Sequence, residues 1–113
     1  MDFNNCSDHA CFQDLVCSIL RFYGFLCRPE FTLSNGQRID VVGGMKDYTY
    51  DDIGIEIEYD SPNLQNDIQK LQNSNFKVKI IISKDPSRIA KSLANSGIYV
   101  LPLPSKQIGS SRN

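Results

Sequence analysis

Val78-Lys79-Ile80-Ile81-Ile82 is a nearly continuous β-branched run. Such a run favours a strand, and apolar side chains on both of its faces require cover from both sides. A chain of 113 residues has room for one core and no second. The run therefore predicts a single sheet with helices on each face. The flanking sequence supplies those helices. Ser61-Pro62 is a cap followed by a first-turn proline. Behind it Leu64, Ile68 and Leu71 recur at helical spacing, up to about Asn73. Asp85-Pro86 opens another helix, with Ile89, Ala90 and Leu93 inward and Gly97 as its stop, and Ile98–Leu101 reads as a last short strand. Helices between successive strands imply crossover connections.

The first half reads differently. Phe12, Leu15, Val16, Ile19, Leu20 and Tyr23 mark an amphipathic helix over about 8–24, capped by Ser7 or Asp8 and ended by Gly24. Phe25–Leu33 is a strand whose Pro29 demands an edge position or a bulge. Ser34-Asn35-Gly36 is a hairpin turn, and Gln37–Val42 is the returning strand. A polar stretch from Gly43 to Asp52 is a loop or a projecting hairpin through Tyr48-Thr49-Tyr50. Ile53–Tyr59 then alternates, with one apolar and one acidic face. The expected fold class is α/β, a mixed central sheet flanked by helices in the order α-β-β-β-α-β-α-β. The expected domain spans 1–104, followed by a loose tail over 105–113.

Charge is distributed unevenly. The net charge is −1, which excludes a histone-like general affinity for nucleic acid. Yet residues 39–67 hold eight acids and one base, and residues 68–113 hold eight bases and one acid. That pattern suits cations held in one place and an anion in another; it also suits two halves that neutralise each other. No apolar run approaches the ~18 residues of a membrane span, and MDFNNCSDHA lacks the bases of a leader. A cytoplasmic protein is expected. Cys6, Cys11, Cys17 and Cys27 show no C-x-x-C spacing. Buried free thiols are the expected state. A Cys/His metal site around His9, or one or two disulfides, are the alternatives.

Chemistry concentrates in Asp40, Glu56 and Glu58. Side chains at i and i+2 of a strand share a face, so Glu56 and Glu58 project together. Asp40 interrupts an apolar run, Ile39-Asp40-Val41-Val42. If its strand pairs with that of Glu56, the two carboxylates converge. Clustered carboxylates repel unless a cation lies between them. Mg²⁺ answers that need, taking oxygen ligands at ~2.0–2.1 Å and as few as one or two carboxylates. Bound there, Mg²⁺ (or Mn²⁺) activates water and stabilises charge on a phosphodiester. An ordinary amphipathic strand with a wet acidic face also reads Ile-Glu-Ile-Glu.

The run Gln37-Arg-Ile-Asp40-Val-Val, then Ile55-Glu56-Ile57-Glu58, a helix and Val78-Lys-Ile-Ile-Ile82 resembles the PD-(D/E)XK nuclease superfamily. Small archaeal Holliday-junction resolvases and restriction-like endonucleases are closest in size. The resemblance covers about residues 8–101 and implies a restriction-endonuclease-like core. It implies that Asp40 and Glu56 are metal ligands, and that Asp14, or less well Gln13, completes the site from the first helix. Ile39 replaces the motif proline, and Glu58 stands where the motif lysine belongs. The resemblance offers Lys70, in the following helix, as the replacement lysine; an i,i+3 pair with Asp67 on a wet surface is the plainer reading. The function implied is a metal-dependent DNA endonuclease with Asp40, Glu56, Glu58 and Lys70 as catalytic residues. The alternative is an inactive protein of the same fold that binds DNA or a protein partner.

Phosphate contacts are expected from Lys77, Lys79, Lys84, Arg88 and Lys91, near or along the last helix. The same residues also fit a solvated face. No zinc-finger, helix-turn-helix or RNA-binding motif occurs, so recognition of backbone shape is expected. Tyr48 and Tyr50 are placed to stack on an unpaired base or to form a dimer contact. Cutting both strands would favour a homodimer.

Overall fold

A computed structural model describes residue 6 and residues 8–45, 52–58 and 64–103. Tyr48, Tyr50, the Ser61-Pro62 cap and the tail 105–113 lie outside these residues. The elements are α1 (His9–Phe22), β1 (Leu26–Thr32), β2 (Arg38–Gly44), β3 (Ile53–Glu58), α2 (Leu64–Gln72), β4 (Val78–Ser83), α3 (Pro86–Ser92) and β5 (Ile98–Pro102). They form an α/β fold around one mixed five-stranded sheet, in the spatial order β1-β2-β3-β4-β5. β1, β2 and β3 pair antiparallel, and β3, β4 and β5 pair parallel through the crossover helices.

α1 begins at Asp8, whose Oδ1 accepts the Cys11 N–H at 2.8 Å. Its apolar stripe of Phe12, Leu15 and Val16 packs on Val41, Ile53, Ile55, Ile57 and Ile82. Tyr23, which the periodicity assigns to that stripe, is instead the C-terminal cap and 72% exposed. On the opposite face Ile68 and Leu71 of α2 and Ile89 of α3 join Phe76, Leu93, Ile39, Val42, Ile81 and Ile98. β4 is thus covered on both sides, Ile80 and Ile82 toward α1 and Ile81 toward α2 and α3. β3 is buried along its whole length. Gly54 is required there because the Phe76 ring lies against its Cα, where a Cβ would overlap the ring.

The β1–β2 hairpin closes at Leu33, whose N–H donates to the Gln37 carbonyl at 2.7 Å. Gly36 turns with φ 90°, and Asn35 Oδ1 accepts the Gln37 N–H. β1 is an edge strand, which accommodates Pro29. The pairs from Leu26↔Gly44 to Thr32↔Arg38 keep one register on either side of Glu30 and Asp40, which are not paired with each other, so no residue is inserted and the bulge alternative does not occur. The irregularity is conformational: Glu30, next to Pro29, takes a left-handed φ of 51°.

The expectation of free thiols is overturned. Cys6 is bonded to Cys11 and Cys17 to Cys27, with Cα–Cα distances of 5.2 and 5.5 Å. Cys17 lies on the sheet-facing side of α1 and Cys27 in β1, so the core brings their Cβ atoms together; sequence spacing alone does not reveal this. The bonded sulfurs also remove the Cys/His metal reading. Among the described residues no helix is long and apolar enough to cross a membrane.

Candidate active site

The predicted acids meet where β2 parts from β3. Backbone pairing between these strands reaches Val41↔Ile55. At the next position the Asp40 side chain replaces a ladder partner: its Oδ2 accepts the Ile57 N–H at 2.7 Å. The Asp40 N–H in turn donates to Glu56 Oε1 at 3.1 Å. Ile39 packs with the α2 side of the sheet while Val41 packs with the α1 side. Residues two apart normally share a face, so β2 rotates at Asp40. That rotation separates the partners of the two carboxylates. Asp40 is met from α1: His9 Nε2 donates to its Oδ2 at 3.1 Å and Gln13 Nε2 to its Oδ1 at 3.3 Å. Glu56 is met from α2, where Lys70 Nζ lies 2.6 Å from its Oε2.

The simple convergence of Asp40 and Glu56 on one face is therefore corrected. They touch through a main-chain N–H, and each carboxylate is held by protein donors. Two side chains of α1 are involved, and neither is Asp14. Asp14 is exposed, while Gln13 is 3% exposed and faces the site. His9 lies one helical turn before Gln13 on the same face. Its Nε2 also meets the Ile57 carbonyl at 3.1 Å; with two acceptors before it, this nitrogen carries the proton. Gln13 is the lesser of the two α1 candidates offered by the resemblance; His9 was not a candidate for the site, and its helical spacing from Gln13 was the available signal.

Lys70 does reach the site, its side chain 15% exposed. Besides Glu56 it donates to the Arg38 carbonyl at 2.8 Å and lies 3.7 Å from Asp67. Burial opposes its charge, but Glu56, Asp67 and Asp40 together raise its pKa. Burial first, then the charge of Asp40, pushes the fully buried Glu56 up to about 8 against the pull of Lys70. Glu58 lies two residues along β3 from Glu56, on the same face of the strand. Burial, then a hydrogen bond and repulsion from Asp67, raise it to about 8; Arg88 opposes this. Its Oε2 is buried with no hydrogen-bond partner among the described residues. Asp67 thus acts on Glu58 in the same direction as burial, favouring the protonated form of Glu58.

A cavity of about 250 Å³ opens beside Asp40. His9, Gln13, Glu30, Arg38 and Lys70 also line it. His9, Arg38 and Lys70 therefore share this space with two carboxyl-bearing side chains, Asp40 and Glu30, and it is roomy enough to admit water. Among the described residues, no three His, Cys, Asp or Glu side chains are grouped to hold a metal ion.

The five basic residues expected to bind phosphate do not form one stripe. Lys77 and Lys79 lie at the start of β4, and Lys84 and Arg88 beyond its end. Lys77 is paired with Asp52 at 3.2 Å. The Met45 N–H, then Lys77, hold that carboxyl below its ordinary range. Arg88 is paired with Asp85 at 3.1 Å, and Lys91 is exposed on α3. Arg38, which the sequence did not single out, stands at the cavity instead, 3.2 Å from Glu30. Comparison with family models, with curated proteins and with solved structures finds no match for this chain.

Proposed function

We propose that this chain is a metal-dependent DNA endonuclease of restriction-endonuclease-like architecture. The observation that carries the reading is the contact of Lys70 Nζ with Glu56 Oε2 at 2.6 Å, beside Asp40 and the cavity it lines. A lysine from the helix after the acidic strand thereby stands against Glu56 and lines the same cavity as Asp40, although Glu58 occupies the motif lysine's place. By donor chemistry Asp40, which lines the cavity, would hold a hard divalent cation, since Mg²⁺ needs only one or two carboxylates and completes its shell with water and phosphate; Glu56, fully buried against Lys70 and outside the cavity lining, would join it only by turning from that lysine. Mg²⁺ or Mn²⁺ held there would supply an acidified water and charge stabilisation at phosphorus.

The chain's own residues do the rest. Gln13 and His9 orient the Asp40 carboxylate through both of its oxygens. Lys70 balances Glu56 and presents positive charge to the cavity, and Arg38 stands at its rim for a substrate phosphate. Glu58, two residues along β3 from Glu56, has its pKa raised to about 8, so it is largely protonated at neutral pH and adds little negative charge to the site. With one such centre per chain, cutting both strands of a duplex calls for a homodimer.

Labelled single-stranded, flapped, branched and duplex DNA, incubated with the protein and Mg²⁺ or Mn²⁺, tests the reading. Cleavage is expected on at least one substrate. Asp40→Asn or Glu56→Gln should lower it about 10²-fold or more while leaving the circular dichroism spectrum intact. A second reading is favoured by the protein donors already seated on both carboxylates: a non-cutting protein of this fold that binds DNA or a protein partner. Salt-sensitive DNA binding without cleavage in either metal would select it. Neither binding nor cleavage would sink both.

A further inference from the structure

We propose that the Cys6–Cys11 disulfide is a redox latch on this site; as a control of activity it rests on the nuclease reading, and as a control of geometry it does not. The bond closes a ring of chain that contains Asp8, the helix cap, and His9, the first helical residue. His9 is also the side chain that bridges Asp40 Oδ2 and the Ile57 carbonyl, both at 3.1 Å. A first helical turn is the part of a helix most ready to fray, because its N–H groups lack partners within the helix. Here the turn is held by Asp8 Oδ1 on the Cys11 N–H and by the covalent ring. The ring therefore fixes His9 against the two strands at the point where they part.

The other disulfide provides the contrast. Cys17 and Cys27 are 1% and 4% exposed within the core beneath α1. Cys6 and Cys11 are only half-buried. A soluble dithiol can reach the outer bond in the folded protein and not the inner one. Its first thiolate attacks one sulfur, forming a mixed disulfide and releasing the other as thiolate; its second thiol then displaces the mixed disulfide. Two electrons pass to the protein, two protons end on Cys6 and Cys11, and the reductant leaves as a cyclic disulfide. The first turn of α1 is then free to open, and His9 leaves Asp40 and Ile57.

Graded dithiothreitol, followed by iodoacetamide and peptide mapping, should label Cys6 and Cys11 at reductant levels that leave Cys17 and Cys27 unlabelled. His9 is the sole histidine of the chain, so its ring resonances are unambiguous by NMR and should shift on reduction. Cleavage of the best substrate should fall about tenfold or more, as expected for a displaced active-site group. Cys6→Ser/Cys11→Ser should show the reduced behaviour without reductant and be indifferent to it. Equal labelling of all four cysteines, or unchanged His9 resonances, would overturn the latch. Cleavage present and equal in both redox states would overturn it as a control of activity. A His9 shift with no cleavage in either state would uphold the latch and reject the nuclease reading.

Discussion

Removing the Lys70 ammonium would leave Glu56, fully buried, with no cation at its Oε2 among the described residues. Breaking a buried pair from one side costs about 3–5 kcal/mol when the remaining group stays charged. Lys70→Met should therefore lower stability by up to about that amount at pH 9, where Glu56 of the unaltered protein is ionised; without Lys70 its pKa rises further, and proton uptake limits the loss. The loss should be much smaller at pH 5, where its raised pKa leaves it neutral. Urea unfolding of both proteins at the two pH values measures the difference; equal losses would mean that Lys70 acts by packing alone. Gly54→Ala tests a steric constraint instead. The new Cβ would lie 2.7 Å from Phe76 Cγ, and overpacking of this kind costs about 1–3 kcal/mol, read as a lowered thermal midpoint. At this scale the strand acids were legible, because period-two alternation is local. Lys70's contact with Glu56 was not, because an i,i+3 neighbour, Asp67, offers the same charge without any fold.

The elements were legible for a similar reason: their patterns repeat within a few residues. The twist of β2 was not. Alternation puts Asp40 and Val42 on one face, yet Asp40 bonds to α1 while Val42 packs toward α2. The rotation follows from pairing: β3 beyond Ile55 has no β2 backbone partner in the register, and the Asp40 carboxylate bonds the Ile57 N–H instead. Across the hairpin from Asp40, Glu30 holds its left-handed φ of 51°. A non-glycine residue in that region is disfavoured by about 1–2 kcal/mol, and Asn tolerates it better. Glu30→Asn should therefore raise stability by about 0.5–1 kcal/mol, since the exposed pair with Arg38 contributes little. A shift of the urea midpoint upward, with unchanged slope, would confirm this. A downward shift would mean that the Glu30 carboxylate itself holds the cavity's rim.

For the molecule as a whole, two carboxyls raised from 4.5 to about 8 set the pH dependence of stability. Below about pH 4.5 they are protonated in both the folded and the unfolded chain, and their contribution is complete. Between 4.5 and about 8 the unfolded chain releases protons that the folded one keeps, so stability falls as pH rises. Urea midpoints at pH 5 and pH 8 should differ in that direction, and Glu58→Gln should flatten the slope. A midpoint that rises over this interval would contradict the burial of these groups as the governing effect. Local patterning, which needs only neighbours along the chain, was enough to specify the helices, the strands, the two-sided cover of β4 and the residues on which negative charge gathers. Three-dimensional packing alone settled which sulfurs bond, which face of α1 meets Asp40, and where Lys70 places its ammonium. Each of those depends on contacts between residues far apart in the chain, whose distances are fixed only once both sides of the sheet have closed.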